Sequence, residues 1–361
     1  MYNEFDASQR PMPRYLTIYQ ALKDDLKRHR FADGRLPSEP ELDRRFGVSR
    51  ITLRHAIRLL CQDGLLEKRQ GSGTFIREAA LAKSGAKPAR ILCLLSRHIN
   101  GGWQDPFFAP IVDAIEREAA THPLRVELRR DGPHSPVQVL KAATHGAPPL
   151  FLFIGPTAPS LARQLADRGM HLVQIDGTRE SMARVHLQDD ERAGARIFAA
   201  AFRKRPWKRV LFLSGRENTV WRRRLSCLQA ELLCLPRAMH FETLWVAGGT
   251  DETARGYRAV KQHYSGRPFL HDLVVCVSDR LAQGTLKALD EMGVSCPGEV
   301  TVTGYDGLAP RKGERALTTL CVDHDGLGRM AVRLGLRLFE GPADIPVELF
   351  LPPVLRIGES V

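Results

Sequence analysis

From residue 90 onward, short apolar runs alternate with amphipathic segments, and this alternation narrows the possible folds more than any other feature. The runs cover residues 91–95, 150–154, 172–175, 210–213, 273–277 and 300–303, with helical patterns such as 111–120, 161–168 and 281–292 between them. Short, uninterrupted apolar runs read as strands buried on both faces. Strands alternating with helices give βαβ units and a parallel sheet covered on both sides. The chain has 361 residues and 43% hydrophobic content, enough for two domains, or three, and at least one sizeable core. No internal repeat or low-complexity tract interrupts the pattern.

The segment before residue 79 has another character. Ile18, Leu22 and Leu26 form one buried stripe of a first helix. Ser38 and Glu41 are spaced as a capping box, Pro40 falls in the first turn, Leu42 and Phe46 share a face, and Gly47 stands where a left-handed residue ends a helix. A second cap, Ser49, opens the next helix. There Leu53, Ala56, Ile57 and Leu60 face inward and Arg50, Arg54 and Arg58 face outward. Two helices joined by a short turn, with arginines at the start of the second, have the geometry that sets a recognition helix in the DNA major groove. An arginine face can equally be a merely solvated one, and three helices with a hairpin also suit a protein-interaction module. After Gly64, residues 65–76 read as a hairpin whose glycines allow a tight tip. Residues 79–89 have small residues, lysines and a proline without periodicity, as a linker does. The expected domains are therefore 1–78, a linker at 79–89, and 90–361.

The stretch from about residue 15 to 76 resembles the winged-helix domain of the GntR family. The matching residues are Leu36-Pro37-Ser38-Glu39, Phe46-Gly47-Val48-Ser49-Arg50, Thr52-Leu53-Arg54, Asp63-Gly64-Leu65 and Gln70-Gly71-Ser72-Gly73-Thr74-Phe75. The resemblance implies a DNA-binding winged helix-turn-helix with operator contacts at Ser49, Arg50, Thr52, Arg54, Gln70 and Gly71. Ser38 and Gly73 complete the candidate set. Many family members have Arg directly after Pro-Ser-Glu. Pro40 stands there in this chain, so a contact those members make is missing.

The larger segment has no nucleophile elbow, phosphate loop or zinc-type spacing. No catalytic residue, metal site or cofactor is expected. Its apolar runs are instead followed by polar residues: Ser96 and Arg97, Asp176, Ser278 and Asp279, and Tyr305 and Asp306. In open α/β sheets, ligands bind outside the carboxyl ends of strands, where these groups would converge. Taken singly, an Asp after a strand is more often a helix cap.

Residues 90–361 resemble the effector-binding domain of the LacI/GalR family, which has the two-lobed periplasmic-binding-protein fold. The clearest stretch is Val275-Cys276-Val277-Ser278-Asp279-Arg280-Leu281-Ala282-Gln283-Gly284, continued by Val300 to Asp306 and Leu317-Thr318-Thr319. Asp105-Pro106-Phe107-Phe108, Leu172 to Asp176 and Arg224-Leu225 support it. The resemblance implies that Arg224 and Asp306 grip polar groups of a small effector, typically sugar hydroxyls. Ser278, Asp176, Trp103 and Phe107 are the further candidates. The family's usual Asn is Ser278 here, a usual Gln is Val322, and a usual small residue is Cys227, so the ligand is an unusual sugar or something with fewer hydroxyls.

Net charge is +12 and the pI about 9.6, which favours a polyanionic partner. Basic stretches at 203–209 and 221–224 spread that excess far beyond the first domain. The seven cysteines show no Cys-x-x-Cys pair, which fits reduced structural thiols. The chain opens on polar residues and has no run of the roughly 18 apolar residues a membrane span needs, so a cytoplasmic protein is expected. The leading expectation is a ligand-responsive bacterial transcription regulator, a repressor in sign, that binds a palindromic operator as a homodimer joined through the α/β domain. The alternative is a winged helix fused to an enzyme-like domain, such as a pyridoxal-phosphate-dependent one. That enzyme needs a Schiff-base lysine, and Lys287, on an amphipathic helix, has no such context.

Overall fold

In a computed structural model, the described residues are 14–27, 31, 34–62, 65–69, 73–76, 90–99, 101–131, 138–141, 148–156, 158–177, 182–215, 219–236, 238–246, 248–340 and 346–361. The chain divides into two compact units. The first holds residues 1–89 together with the short stretches 144–148 and 336–343; the rest of the chain forms the second. The hairpin tip with Gln70 and Gly71, and the stretch 79–89 read as a linker, lie outside the described residues.

The first unit contains α1 (Arg14–Lys27), α2 (Glu39–Phe46), α3 (Arg50–Gln62), β1 (Leu66–Arg69) and β2 (Gly73–Ile76). Ile18, Leu22 and Leu26 of α1 share one core with Leu42, Leu53, Ala56, Ile57 and Leu60. The helical spacing seen in the sequence is thus the spacing of a single buried seam. At the start of α2, the Glu41 carboxylate accepts the backbone N–H and the hydroxyl of Ser38, each at 2.8 Å. Gly47 ends the helix at φ 61°, donating its N–H to the Asp43 carbonyl at 2.9 Å. The antiparallel β1–β2 hairpin runs from Leu66 opposite Ile76 to Arg69 opposite Gly73. Arg35 adds an isolated bridge to Phe75, so the chain ahead of α2 is tied to the hairpin. Gly73 sits at φ 114°, a region that side-chain-bearing residues rarely adopt.

The second unit begins with β3 (Arg90–Leu95), α4 (Ala109–Ala120), β4 (Arg125–Arg130), β5 (Leu150–Ile154), α5 (Pro159–Ala166), β6 (His171–Ile175), β7 (Val185–Asp189) and α6 (Glu191–Ala201). It continues with β8 (Arg209–Gly215), α7 (Thr219–Leu233), β9 (His240–Val246), α8 (Glu252–His263), β10 (Leu273–Cys276), α9 (Asp279–Glu291), β11 (Thr301–Asp306) and β12 (Thr318–Cys321). It closes with α10 (His324–Arg337), β13 (Val347–Leu351) and β14 (Val354–Arg356). The strands form two six-stranded sheets, ordered β4-β3-β5-β6-β7-β13 and β9-β8-β10-β11-β12-β14. Every pairing is parallel except β12 with β14. The chain passes between the sheets after β7, after β12 and between β13 and β14, which makes two lobes joined by three connections.

Both sheets carry the doubly wound order in which the first strand lies between the second and third. The loops leaving β3 and β5, and those leaving β8 and β10, therefore diverge, opening a crevice at the carboxyl end of each sheet. β4, β7, β9 and the last three strands escape the apolar-run reading. β7, for example, is buried throughout yet carries His186, Gln188 and Asp189. All seven cysteines are free thiols, and burial pushes Cys276 up to about 12. No helix among the described residues is long and apolar enough to cross a membrane.

The second lobe depends on close helix contact. A Cβ on Gly284 of α9 would lie 2.0 Å from the Thr253 carbonyl oxygen, and one on Gly256 of α8 would lie 2.4 Å from the Leu281 carbonyl oxygen. Each glycine thus seats the other helix's backbone, which cannot yield as a flexible side chain can. Gly284→Ala is expected to destabilise the protein by at least about 1–3 kcal/mol, the usual cost of overpacking. The measurement is the midpoint of chemical unfolding, and an unchanged midpoint would show that the two helices do not meet this closely.

Candidate functional site

Two constellations hold the residues singled out from the sequence. The first is the outer face of α3. The side chains of Arg50 and Arg54 are 71% and 59% exposed, so they are available to a partner. Neither hangs loose. Arg54 Nε donates to a Glu39 carboxylate oxygen at 2.7 Å, Lys68 Nζ donates to the other at 3.2 Å, and Arg50 Nε lies 3.6 Å from the Asp43 carboxylate. Burial pushes the Glu39 carboxyl up, but hydrogen bonds and charge from Arg54 and Lys68 outweigh it and leave the group below its ordinary value. Exposed pairs of this kind add little stability. Their effect is geometric: Glu39 of α2 holds together a side chain of α3 and one of the hairpin. The Ser49 and Thr52 hydroxyls are 2.9 Å apart at the start of α3, and the Ser38 hydroxyl is engaged by Glu41. Sequence reasoning misses the bridging role of Glu39 and Lys68, because nothing local to either shows that the hairpin folds back to α2.

The second constellation lies at the carboxyl end of the second sheet and faces the first lobe. Arg224 leaves α7 and is 3% exposed. Its Nη1 donates to Asp306 Oδ1 at 2.6 Å and to the Val277 carbonyl at 2.9 Å, so it spans the crevice between the segments that follow β8 and β10. Its guanidinium carbon stands 3.9 Å from the Tyr305 ring centroid and 5.9 Å from that of Phe107. Phe107 comes from the loop after β3 and meets the His324 ring edge-on at 4.7 Å. Tyr305 of the second lobe donates its hydroxyl to Asp189 of the first at 2.5 Å.

Charge in this cluster is unusual for a buried site. Burial disfavours a charged Arg224, but Asp306, Tyr305, Asp189 and Asp176 more than offset that and raise its pKa. Burial pushes Asp306 upward while Arg224 pulls the other way. Asp189 is pushed up to about 7, chiefly by burial, against Arg224 and the Tyr305 hydrogen bond. Asp176 is raised by burial as well, and burial followed by Arg224 lowers His324 to about 4. Asp306 and Asp176 have φ of 118° and 45°, strained conformations for residues other than glycine. Such outliers cluster where side chains must be aimed. Arg224 Nε and Asp189 Oδ1 are among the buried polar atoms with no hydrogen-bond partner in the described residues, and buried polar atoms seldom stay unpaired.

The structure therefore brings together Arg224, Asp306, Asp176 and Phe107 of the residues named from the sequence. Ser278 stands beside them as a cap of α9, receiving the Leu281 N–H at 3.3 Å and donating to Glu252 at 2.8 Å. Trp103 is half-buried on a short 3-10 turn, Gly102–Gln104, and no described contact joins it to Arg224. Asp189 and Tyr305 are the additions: Tyr305 reads in the sequence only as a residue at the end of a strand, and Asp189 lies on a strand too polar to read as one. Lys287 is exposed, its ammonium 5.3 Å from the Tyr257 ring centroid, a surface position unlike an enclosed Schiff-base site.

Asp189 makes a pH test possible. A carboxyl raised to about 7 binds more protons folded than unfolded between about pH 4 and 7, so its contribution to stability falls as pH rises through that window. Asp189→Asn removes this titration. The melting temperature of the wild type relative to the variant is expected to drop from pH 5 to pH 7.5, and a constant difference would refute the buried, raised carboxyl.

A winged helix with an exposed arginine face, carried on one chain with a two-lobed, doubly wound domain, defines the class by architecture: a helix-turn-helix unit joined to an α/β unit with two parallel-rich sheets. Residues 14–76 match the bacterial regulatory proteins, gntR family, and residues 199–361 match the periplasmic binding protein-like domain. The chain is a fusion of these two domain types. The HTH-type transcriptional repressor PurR of Escherichia coli O139:H28 is 35% identical to it over 118 residues, 32% of this chain and 34% of that protein. The chain thus matches about a third of the length of that curated relative. Among solved structures, the lac repressor dimer bound to operator and the anti-inducer ONPF superposes with a TM-score of 0.62 at 17% identity, covering 79% of this chain and 98% of that one. The transcriptional regulator CelR–cellobiose complex superposes at 0.64 with 19% identity, covering 87% and 92%. At these identities the structures establish the fold.

Proposed function

We propose that the protein is a ligand-responsive transcription regulator of the bacterial cytoplasm, a repressor that binds a palindromic operator as a homodimer and performs no catalysis. The observation that carries this reading is the presence in one chain of an arginine face on a capped helix and a buried Arg224–Asp306 pair between two lobes. Arg50 and Arg54 fork onto base edges or adjacent phosphates. Ser49 and Thr52 set the first turn of that helix, and the hairpin, with Gln70, Gly71 and Gly73, approaches the backbone or the minor groove. Relatives whose names describe repressors support the assignment, as does the lack of a recognisable catalytic motif in the sequence of the larger domain. The effector is a sugar or related metabolite. A guanidinium and a carboxylate together offer hydroxyl groups strong donors and acceptors, and Phe107 supplies an apolar wall. Closure on the ligand brings Asp189 and Asp176 of the first lobe toward Arg224 and Asp306 of the second.

The domain limits follow the same reading: DNA binding in 1–78, a linker at 79–89, and effector binding with dimerisation in 90–361. Two half-sites one turn apart require a dimer, so light scattering of the full chain is expected to give twice the monomer mass.

Arg50→Ala and Arg54→Ala are each expected to weaken binding to a selected operator by about 1–3 kcal/mol, the range of a good bidentate contact. Fluorescence anisotropy measures this, and unchanged affinity in both variants would remove α3 from the interface. Linkage tests the regulatory half. A thermal-shift screen against sugars and polyols finds the ligand, since binding to the folded state raises stability. That ligand is then titrated into free protein and into the operator complex. An inducer binds the complex more weakly by the factor by which it lowers operator affinity. Equal affinities would exclude it as the regulator, and tighter binding to the complex would make it a corepressor.

A further inference from the structure

We infer that Ile51 reads a thymine: its side chain packs on the C5-methyl group of one thymine in each half-site, and so selects an A·T pair at a position the arginines do not specify. The inference rests on the proposed operator-binding role of α3. Ile51 is 83% exposed, more than any other large hydrophobic side chain described. A scattered exposed apolar residue is ordinary on a protein surface; its direction makes this one different. At about 100° per residue, the buried positions Leu53, Ala56, Ile57 and Leu60 of α3 centre on a direction that Ile51 opposes to within about 10°. Over the first two turns of α3, residues 50–57, it is the residue that points most directly away from the core.

Folding gives no reason for it. Ile51 is absent from the buried cluster of its unit, and a β-branched residue is a poorer helix former than Ala, Leu or Arg. Its surroundings specify the partner. Arg50, Arg54 and Arg58 are exposed on the same face, and no described contact ties Arg58 to a carboxylate. An apolar surface of another protein would have to desolvate guanidinium groups to reach Ile51. A polyanion would pair with them. Among polyanions, duplex DNA offers an apolar target beside its hydrogen-bonding edges: the thymine methyl in the major groove. Arg50 and Arg54 fork onto neighbouring bases or phosphates, and Ile51 sits on the one element of the base edge that charge cannot read.

The test begins without a known operator. The duplex that binds wild-type protein most tightly is recovered by in vitro selection from random-sequence DNA, and each thymine is replaced in turn by deoxyuridine, which deletes only the methyl group. At one thymine per half-site the wild type is expected to lose about fourfold in affinity, the worth of one buried methyl-sized group. Ile51→Ala, an exposed change with no folding consequence, is expected to bind the thymine and deoxyuridine duplexes equally. The slope of its affinity against salt is expected to match the wild type, because no phosphate contact is lost. Methyl deletions that cost the wild type and Ile51→Ala the same, or that cost the wild type nothing at any position, overturn the inference while leaving α3 as the reading helix. A change in the assembly mass of Ile51→Ala with its operator affinity intact also overturns it, and places Ile51 in a protein contact. If selection recovers no preferred sequence, the regulator reading itself falls.

Discussion

A guanidinium taken out of water must be paired at close range or it unfolds what surrounds it, and the larger domain is arranged around one such group. Arg224, 2.6 Å from Asp306, cannot lose its proton and cannot reach solvent. An ion pair of this kind offers little net stability over an apolar replacement, yet removing one partner leaves an uncompensated buried charge at a cost of about 3–5 kcal/mol. Its value lies in what it aligns. The same side chain ties the segment after β10, stacks on Tyr305 of β11 and faces Phe107 from the other lobe. Tyr305 then reaches across to Asp189. One charge thus sets the positions of four segments in two lobes, which a ligand inserted among them could change.

The small domain uses a different constraint. Its core is apolar and conventional, and its outer surface is organised by Glu39, whose carboxylate holds both Arg54 and Lys68. Two cations held on one carboxylate are kept from wandering, and each is still exposed enough to exchange that partner for a phosphate or a base. The side chains proposed to read DNA are therefore preorganised, which lowers the entropy lost on binding.

Much of this was legible in the sequence. The seam through Ile18, Leu22, Leu53 and Ile57, the capping pair Ser38 and Glu41, and the left-handed Gly47 all follow from local rules, because helix periodicity and caps are set by residues within a few positions of each other. The buried strands β3, β5, β6, β8, β10 and β11 were visible as apolar runs for the same reason. Arg224, Asp306, Asp176 and Phe107 could be named through a family resemblance, which carries tertiary information with it. β7 was invisible because its inward side chains include His186, Gln188 and Asp189. His186 bonds the Ala183 carbonyl and Asp189 bonds Tyr305 of the other lobe, contacts that period and hydropathy cannot detect.

What the sequence alone determined, then, is the helices of the first unit and the six apolar strands of the second, since these are written in patterns shorter than one element, while the two domain types were reached through resemblance. Only the tertiary structure decided that Glu39 bridges α3 and the hairpin, that Ser278 serves as a cap touching Glu252, and that Trp103 has no described contact with the Arg224 cluster. It also decided that Tyr305 donates a hydrogen bond across the two lobes to Asp189, 116 residues away. A hydrogen bond or an ion pair acts over about 3 Å of space whatever the separation along the chain, so its partners become known only when the three crossings between the sheets have brought their ends together.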